Sequence, residues 1–169
     1  MLHKGNWNVT IALHKAHGTA ERMVAICPRL YDSALCGLAI NLGSITITVH
    51  LTDLEPRAVI ASAGIMNPQI RFGEDLMSRL SCAMMNSGSD REMTSKVREA
   101  IGTLTVDVAK EAHINPSLIL ETIFGCNPIM RHLLLGIDPV ELGLTSLPPS
   151  SHFYMPPCPK NRENPKTSF

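Results

Sequence analysis

No sign of charge predominates in this chain: 15 Lys and Arg face 15 Asp and Glu, and the formal net charge is zero. That balance argues against a protein built to hold nucleic acid or an anionic membrane, since both need a basic surface. No apolar run approaches the roughly 18 residues required to cross a bilayer, and Met1 to Gly5 is not followed by the apolar stretch of a secretory signal, so a cytoplasmic location is expected. Without such a signal the glycosylation pattern Asn8-Val9-Thr10 has no consequence. The cysteines Cys27, Cys36, Cys82, Cys126 and Cys158 include no C-x-x-C or other close pair, which excludes a sequence-encoded zinc or iron–sulfur motif, and their odd number speaks against a disulfide framework. Reduced, mostly buried thiols are the expectation. Aromatics are few, 4% of the residues, but 44% are hydrophobic, enough for one globular domain of 169 residues or slightly more.

Residues 1–35 read as two short strands, one alternating through Val9, Ile11 and Leu13, the other the apolar run Met23 to Cys27. His14 and His17 stand three apart in an extended segment, where they project differently from a helical metal pair. From Gly37 the pattern sharpens. Leu38 to Leu42 is nearly continuous apolar sequence, Gly43-Ser44 makes a tight turn, and Ile45, Ile47, Val49 and Leu51 then alternate with polar residues. A turn around Pro56 and a third run, Ala58 to Ile65, complete a three-stranded meander.

Two helices are predicted next, over Gly73 to Met85 with a stripe of Phe72, Leu76, Leu80 and Ala83 widened by Met77 and Met84, and from Ser89, where Ser89-Asp90-Arg91-Glu92 has the form of a capping box. The second helix has the core face Met93, Val97, Ala100, Ile101, Leu104, Val108 and Ala112. Asn115-Pro116 caps a short turn, Leu118 to Gly125 suits a buried strand, and Asn127-Pro128 opens a helix through Leu135 that Gly136 closes. The order is β-β-β-α-α-β-α, an α/β lobe. Beyond Leu147 six of the 12 prolines fall in 22 residues, and Lys160, Arg162 and Lys166 face Glu163 alone. A loosely packed tail over 148–169 is expected.

Chemistry has few candidate places. A hairpin turn of Gly followed by hydroxyl residues presents backbone N–H groups and hydroxyls to a phosphate, and Gly43, Ser44 and Thr46 have that form. Gly-Ser equally makes an ordinary hairpin turn.

Three longer strings carry a resemblance: Gly-Leu-Ala-Ile-Asn-Leu-Gly-Ser-Ile-Thr at 37–46, Ala-Ser-Ala-Gly-Ile-Met-Asn-Pro-Gln-Ile-Arg-Phe-Gly-Glu-Asp at 61–75, and Asn-Pro-Ile-Met-Arg-His-Leu-Leu-Leu-Gly-Ile-Asp-Pro at 127–139. Together they resemble the ATPase domain of the ATP-dependent reductive activators of corrinoid proteins. The resemblance implies a ribonuclease-H-like lobe, one half of the ATPase fold shared by acetate and sugar kinases, heat-shock proteins and actin (ASKHA), over residues 37–147. Residues 1–36 then resemble the end of the domain that precedes it. In such activators an iron–sulfur domain supplies an electron, and ATP helps to drive Co(II) corrinoid to the Co(I) nucleophile. Neither that domain nor a second lobe is visible here, and no iron–sulfur cluster is expected in this chain.

By the same resemblance, Gly43, Ser44 and Thr46 fall on the first phosphate loop, and Asn41 falls where the family has an aspartate that helps to hold Mg²⁺ of Mg-ATP. An amide supplies an oxygen without charge, which argues against hydrolysis. Cys126 stands for a glycine, and Arg131 replaces the first residue of a His-His pair, leaving His132. Asn67, Gln69, Arg71, Asp75, Asn127 and His132 are candidates for the cleft or a partner surface. Asp75 and His132 also have ordinary readings as helix-end residues that complement the dipole.

The implied function is that of an incomplete corrinoid activator whose partner is a corrinoid protein. The alternatives are a non-catalytic interaction module or a fragment without function. An uncovered interlobe face also predicts a homo-oligomer. A complete small ribonuclease-H-type enzyme would need clustered carboxylates, and Asn41 occupies the place of the first.

Overall fold

The computed structural model describes residues 6–15, 20–31, 34–143 and 151–155. Two antiparallel strands, β1 (Val9–His14) and β2 (Arg22–Pro28), pair with each other as a separate hairpin. His17, half of the histidine pair noted above, lies outside the described residues, as does Cys158.

The main sheet is built from β3 (Cys36–Leu42), β4 (Thr46–Asp53), β5 (Ala58–Met66), β6 (Ile119–Cys126) and β7 (Ser151–Met155), in the order β5-β4-β3-β6-β7. The meander β3-β4-β5 is antiparallel, whereas β6 returns to lie parallel to β3, with Leu42 opposite Cys126. A parallel return requires a crossover, and the long helix supplies it. The order of elements through α3 is the predicted β-β-β-α-α-β-α. One expectation is corrected: Ser151–Met155, inside the segment expected to be loosely packed, forms a strand antiparallel to β6. Composition missed it because hydrogen bonding to an existing sheet edge depends on backbone groups that every non-proline residue carries.

Helices α1 (Leu76–Met85), α2 (Ser89–Glu111) and α3 (Pro128–Leu135) and the short α4 (Val140–Gly143) follow the meander and β6. The core forms between one face of the sheet and this helical layer. Leu38, Ile40 and Leu42 of β3, Ile47, Val49 and Leu51 of β4 and Phe124 of β6 meet Met93, Val97, Leu104 and Val108 of α2 and Ile129, Met130 and Leu133 of α3, all buried. Strict alternation along β3 and β4 produces this: even positions of β3 and odd positions of β4 face the helices. The opposite face carries Ala39, Asn41, Thr48, His50, Ser62 and Gly64.

The helix ends show which local signals held. Asn127 caps α3 by accepting from the Met130 N–H at 2.9 Å, and Gly136 closes it with φ of 74°. The last carbonyls of α3 accept from α2, Leu133 O from Thr94 Oγ1 at 2.6 Å and Leu134 O from Arg98 Nε at 2.8 Å. The capping box at Ser89 does not form. Gly88, at φ of 89°, takes the cap position, so Ser89 is already helical and its hydroxyl donates to Cys82 O at 3.1 Å. Glu92 is drawn away into an ion pair with Arg71. Met77 and Met84, expected to widen the core stripe of α1, are exposed, and Leu80 is its buried anchor.

Candidate functional site

β3 and β6 run parallel, and the C-terminal ends of parallel strands are where α/β sheets usually take their ligands. The Gly43-Ser44-Ile45-Thr46 turn sits at that end. Its conformation requires glycine at 43 for space alone: a Cβ there would come within 2.7 Å of Thr46 O. Asn41, the last outward-facing residue of β3, is exposed between Thr48 and Gly125 on the neighbouring strands.

All four carbonyls of the turn accept internal hydrogen bonds. Thr46 O accepts from Gly43 N at 3.0 Å, Gly43 O from Asn67 Nδ2 at 2.8 Å, Ser44 O from Arg79 Nη2 at 2.5 Å, and Ile45 O from Asn67 N at 2.7 Å. An acceptor that is tied back does not repel an incoming anion. The N–H groups of Ser44 and Ile45 belong to the same planar trans peptides as the carbonyls of Gly43 and Ser44, and therefore point the opposite way. They are the donors the turn has left to offer.

Asn67 is the organiser predicted only as a cleft or partner-surface residue. It is 1% exposed. Its Nδ2 holds Gly43 O, while its Oδ1 accepts from Gln69 N at 2.9 Å and so caps the 3-10 turn Pro68–Phe72. Gln69 is wholly buried and points into the helical layer, donating from Nε2 to Met93 O at 3.0 Å. Arg71 is exposed, stacks on Phe72 at 4.7 Å and pairs with Glu92. Asp75 caps α1, accepting from Ser78 N at 2.7 Å, and this bond holds its carboxyl below the usual carboxylate range. His132 is half-buried on α3, with Nδ1 donating to Pro128 O at 2.9 Å. Of the predicted residues, the structure joins Asn67 directly to the turn. It gives Gln69 and Arg71 partners on α2, and Asp75, Asn127 and His132 bonds to their own helices.

Sequence reading missed Arg79. This guanidinium is fully buried, and it donates from Nε to Gly73 O at 2.9 Å, from Nη1 to Met130 Sδ at 3.4 Å and from Nη2 to Ser44 O. It thereby connects all three of the strings on which the resemblance rests. Burial lowers its pKa, and Asp75 opposes the shift. The only signal available in the sequence was an arginine where the helix stripe calls for an apolar residue, adjacent to Leu80.

Among the described residues no group of three or more His, Cys, Asp or Glu is placed to hold an ion. His14 is instead paired with Glu121 of β6. That pair borders a cavity of about 650 Å³, lined also by Arg22, Gly37, Ala39, Leu54 and Ile123, at the opposite end of β3 from the turn. Cys126, beside Leu42, is 5% exposed, and burial pushes its thiol up to about 11.

The sequence model of the RACo middle region matches residues 36–157. The chain belongs to the RACo middle-region family. The corrinoid activation enzyme RamQ of Eubacterium limosum is 27% identical over 113 residues, which are 67% of this chain and 19% of RamQ. A solved structure described as a reductive activator for corrinoid, iron-sulfur protein superposes with a TM-score of 0.75 at 29% identity, covering 85% of this chain and 23% of that one. The chain thus spans about a fifth of the length of these relatives. The matched region contains the whole meander, the helical layer and β6, so the α/β, ribonuclease-H-like lobe and the partial corrinoid-activator identity expected from the three strings both stand. No helix of the described residues is long and apolar enough to cross a membrane.

Proposed function

We propose that this chain acts as the first, phosphate-contacting lobe of an ASKHA-type corrinoid activator, holding the polyphosphate of ATP at Gly43, Ser44 and Thr46 and meeting a corrinoid protein as its partner. The observation that carries this reading is the turn itself: four carbonyls drawn inward, two peptide N–H groups turned outward, at the end of a parallel strand pair. Such concavities of backbone N–H groups bind anions.

The donor set fits the phosphates and not a protein-held Mg²⁺. A hard cation wants charged oxygen ligands, and the outward side chain at the end of β3 is the neutral amide of Asn41. Phosphoryl transfer depends on groups fixed on both sides of the transferred phosphate. The described residues supply one side, so this chain binds rather than hydrolyses.

Titration calorimetry with Mg-ATP tests the reading: saturable binding supports it, and no heat at millimolar ATP sinks it. Asn41→Asp, which restores a charged oxygen, should strengthen Mg²⁺-dependent binding several-fold while leaving metal-free binding no stronger. An equal affinity with and without Mg²⁺ in that variant would remove Asn41 from the site.

A second reading, an interaction module without nucleotide, draws on the uncovered face of the sheet. Ile123, Met66 and Ile45 are exposed there or at its rim, beside small and polar residues. Self-association in light scattering, or capture of a purified corrinoid protein in the absence of ATP, would favour it.

A further inference from the structure

Arg79 is a buried charge that its surroundings do not neutralise. It is fully buried. Its hydrogen-bond partners are two carbonyls and a thioether, all uncharged. Among the described residues no carboxylate lies within ion-pair distance of it; Asp75, one helical turn back, influences it electrostatically, but is exposed and engaged with the Ser78 N–H. Burying a cation without a counter-charge is costly, and an apolar residue at this position of α1 would pack at no such cost.

Its placement suggests what offsets that cost. The contact from Nη2 to Ser44 O fixes one peptide plane, and the Ile45 N–H on the far side of that plane is thereby aimed away from the guanidinium. A cation on the carbonyl also polarises the peptide and strengthens its N–H as a donor. The charge itself lies directly behind the turn, where little water screens it. An anion in front of Ser44 and Ile45 meets a pre-aimed donor and an unneutralised positive charge along one line.

We infer that Arg79 is the positioning residue of a polyphosphate site at the 43–46 turn: through Ser44 it sets the direction and strength of the Ile45 N–H, and it supplies the counter-charge without touching the ligand. This rests on the reading of the turn as phosphate-contacting.

The test uses metal-free tripolyphosphate as the probe and amide chemical shifts of the whole chain as the readout. In the wild type, the Ser44 and Ile45 amides and the Arg79 Nε–H should shift along one saturation curve. Arg79→Lys, which keeps the charge, should stay within about threefold of wild-type affinity, whereas Arg79→Gln, which keeps a donor without the charge, should weaken binding at least tenfold. Rescue by lysine separates a charge role from simple support of the turn. Equal affinity in Arg79→Gln overturns the inference, as does a wild-type response in which Arg79 Nε–H stays still. The wild-type arm decides the matter even where the glutamine variant fails to fold. A parallel Mg-ATP titration separates the two ideas. Arg79-dependent tripolyphosphate binding without ATP binding leaves the inference standing and removes the nucleotide reading. ATP binding unchanged in Arg79→Gln does the reverse, and binding of neither ligand removes both.

Discussion

Truncating Asn67 to alanine should break the support of the 43–46 turn and cost much of the molecule's stability. The side chain is 1% exposed and does two jobs at once, donating to Gly43 O and accepting from Gln69 N. Alanine leaves a part-buried carbonyl and a buried N–H without partners. The buried N–H costs roughly 1–3 kcal/mol and the part-buried carbonyl roughly 1–2 kcal/mol, so the loss should be about 2–5 kcal/mol. With a urea dependence of about 2 kcal/mol per molar for a domain of this size, the unfolding midpoint should fall by about 1–2.5 M at unchanged slope. Asn67→Asp sharpens the test. It keeps the acceptor for Gln69 but presents an oxygen to Gly43 O where a donor was. Burial and the facing carbonyl both raise the pKa of that carboxyl in the folded state, so the variant should gain relative to wild type as pH falls and its protonated form donates. A midpoint shift below about 0.3 M for Asn67→Ala, or a pH-independent Asn67→Asp, would refute the claim that this amide holds the turn.

The other predictions concern helix α1 and the thiols. Gly73→Ala should destabilise by about 1–3 kcal/mol in urea unfolding, because its Cβ would lie 2.6 Å from Ser78 Cβ and 2.7 Å from Arg79 N, backbone that moves only with the start of α1. The Asp75 carboxyl, held low by the Ser78 N–H, contributes stability that is fully present above the ordinary carboxylate value of 3.8 and is lost as pH falls through its lower folded value. Replacement by Asn, which caps without charge, should therefore flatten the acid limb of the stability curve below that value, and superimposable curves would contradict the assignment. Native alkylation followed by mass spectrometry should mark Cys27 and Cys82, which are partly exposed, well before buried Cys36 and Cys126. Because Cys126 ionises near 11 when folded against 9.0 ordinarily, the unfolded state binds fewer protons between those values, and stability should decline as pH rises through that interval.

Where a structural role depended on residues close in sequence, it could be read from sequence. The Asn115 and Asn127 caps and the Gly136 stop are each set by a side chain or a positive φ within four residues, and they appear as predicted. Alternation along β4 assigned its core face correctly at Ile47, Val49 and Leu51, whereas Ile45, in the turn before the strand, is exposed. The failures involve partners distant in the chain. Glu92 matched a capping box, but Arg71, 21 residues away, claims its carboxylate. The role of Arg79 could not be read from sequence because Ser44 and Met130, 35 and 51 residues away, become its neighbours only in the folded sheet and helical layer. Asn67 stood out in a motif, yet its bond to Gly43, 24 residues earlier, could not be inferred from that motif alone.

The central claim is that the 43–46 turn of this RACo-family lobe receives the phosphates of a nucleotide. Amide chemical shifts of the purified chain during a Mg-ATP titration test it most directly. The account predicts that Ser44 and Ile45 move first and together, on one saturable curve that calorimetry reproduces. Still amides at 44 and 45 with millimolar ATP, or saturable shifts confined to other residues such as those of the cavity beside His14 and Glu121, would contradict it.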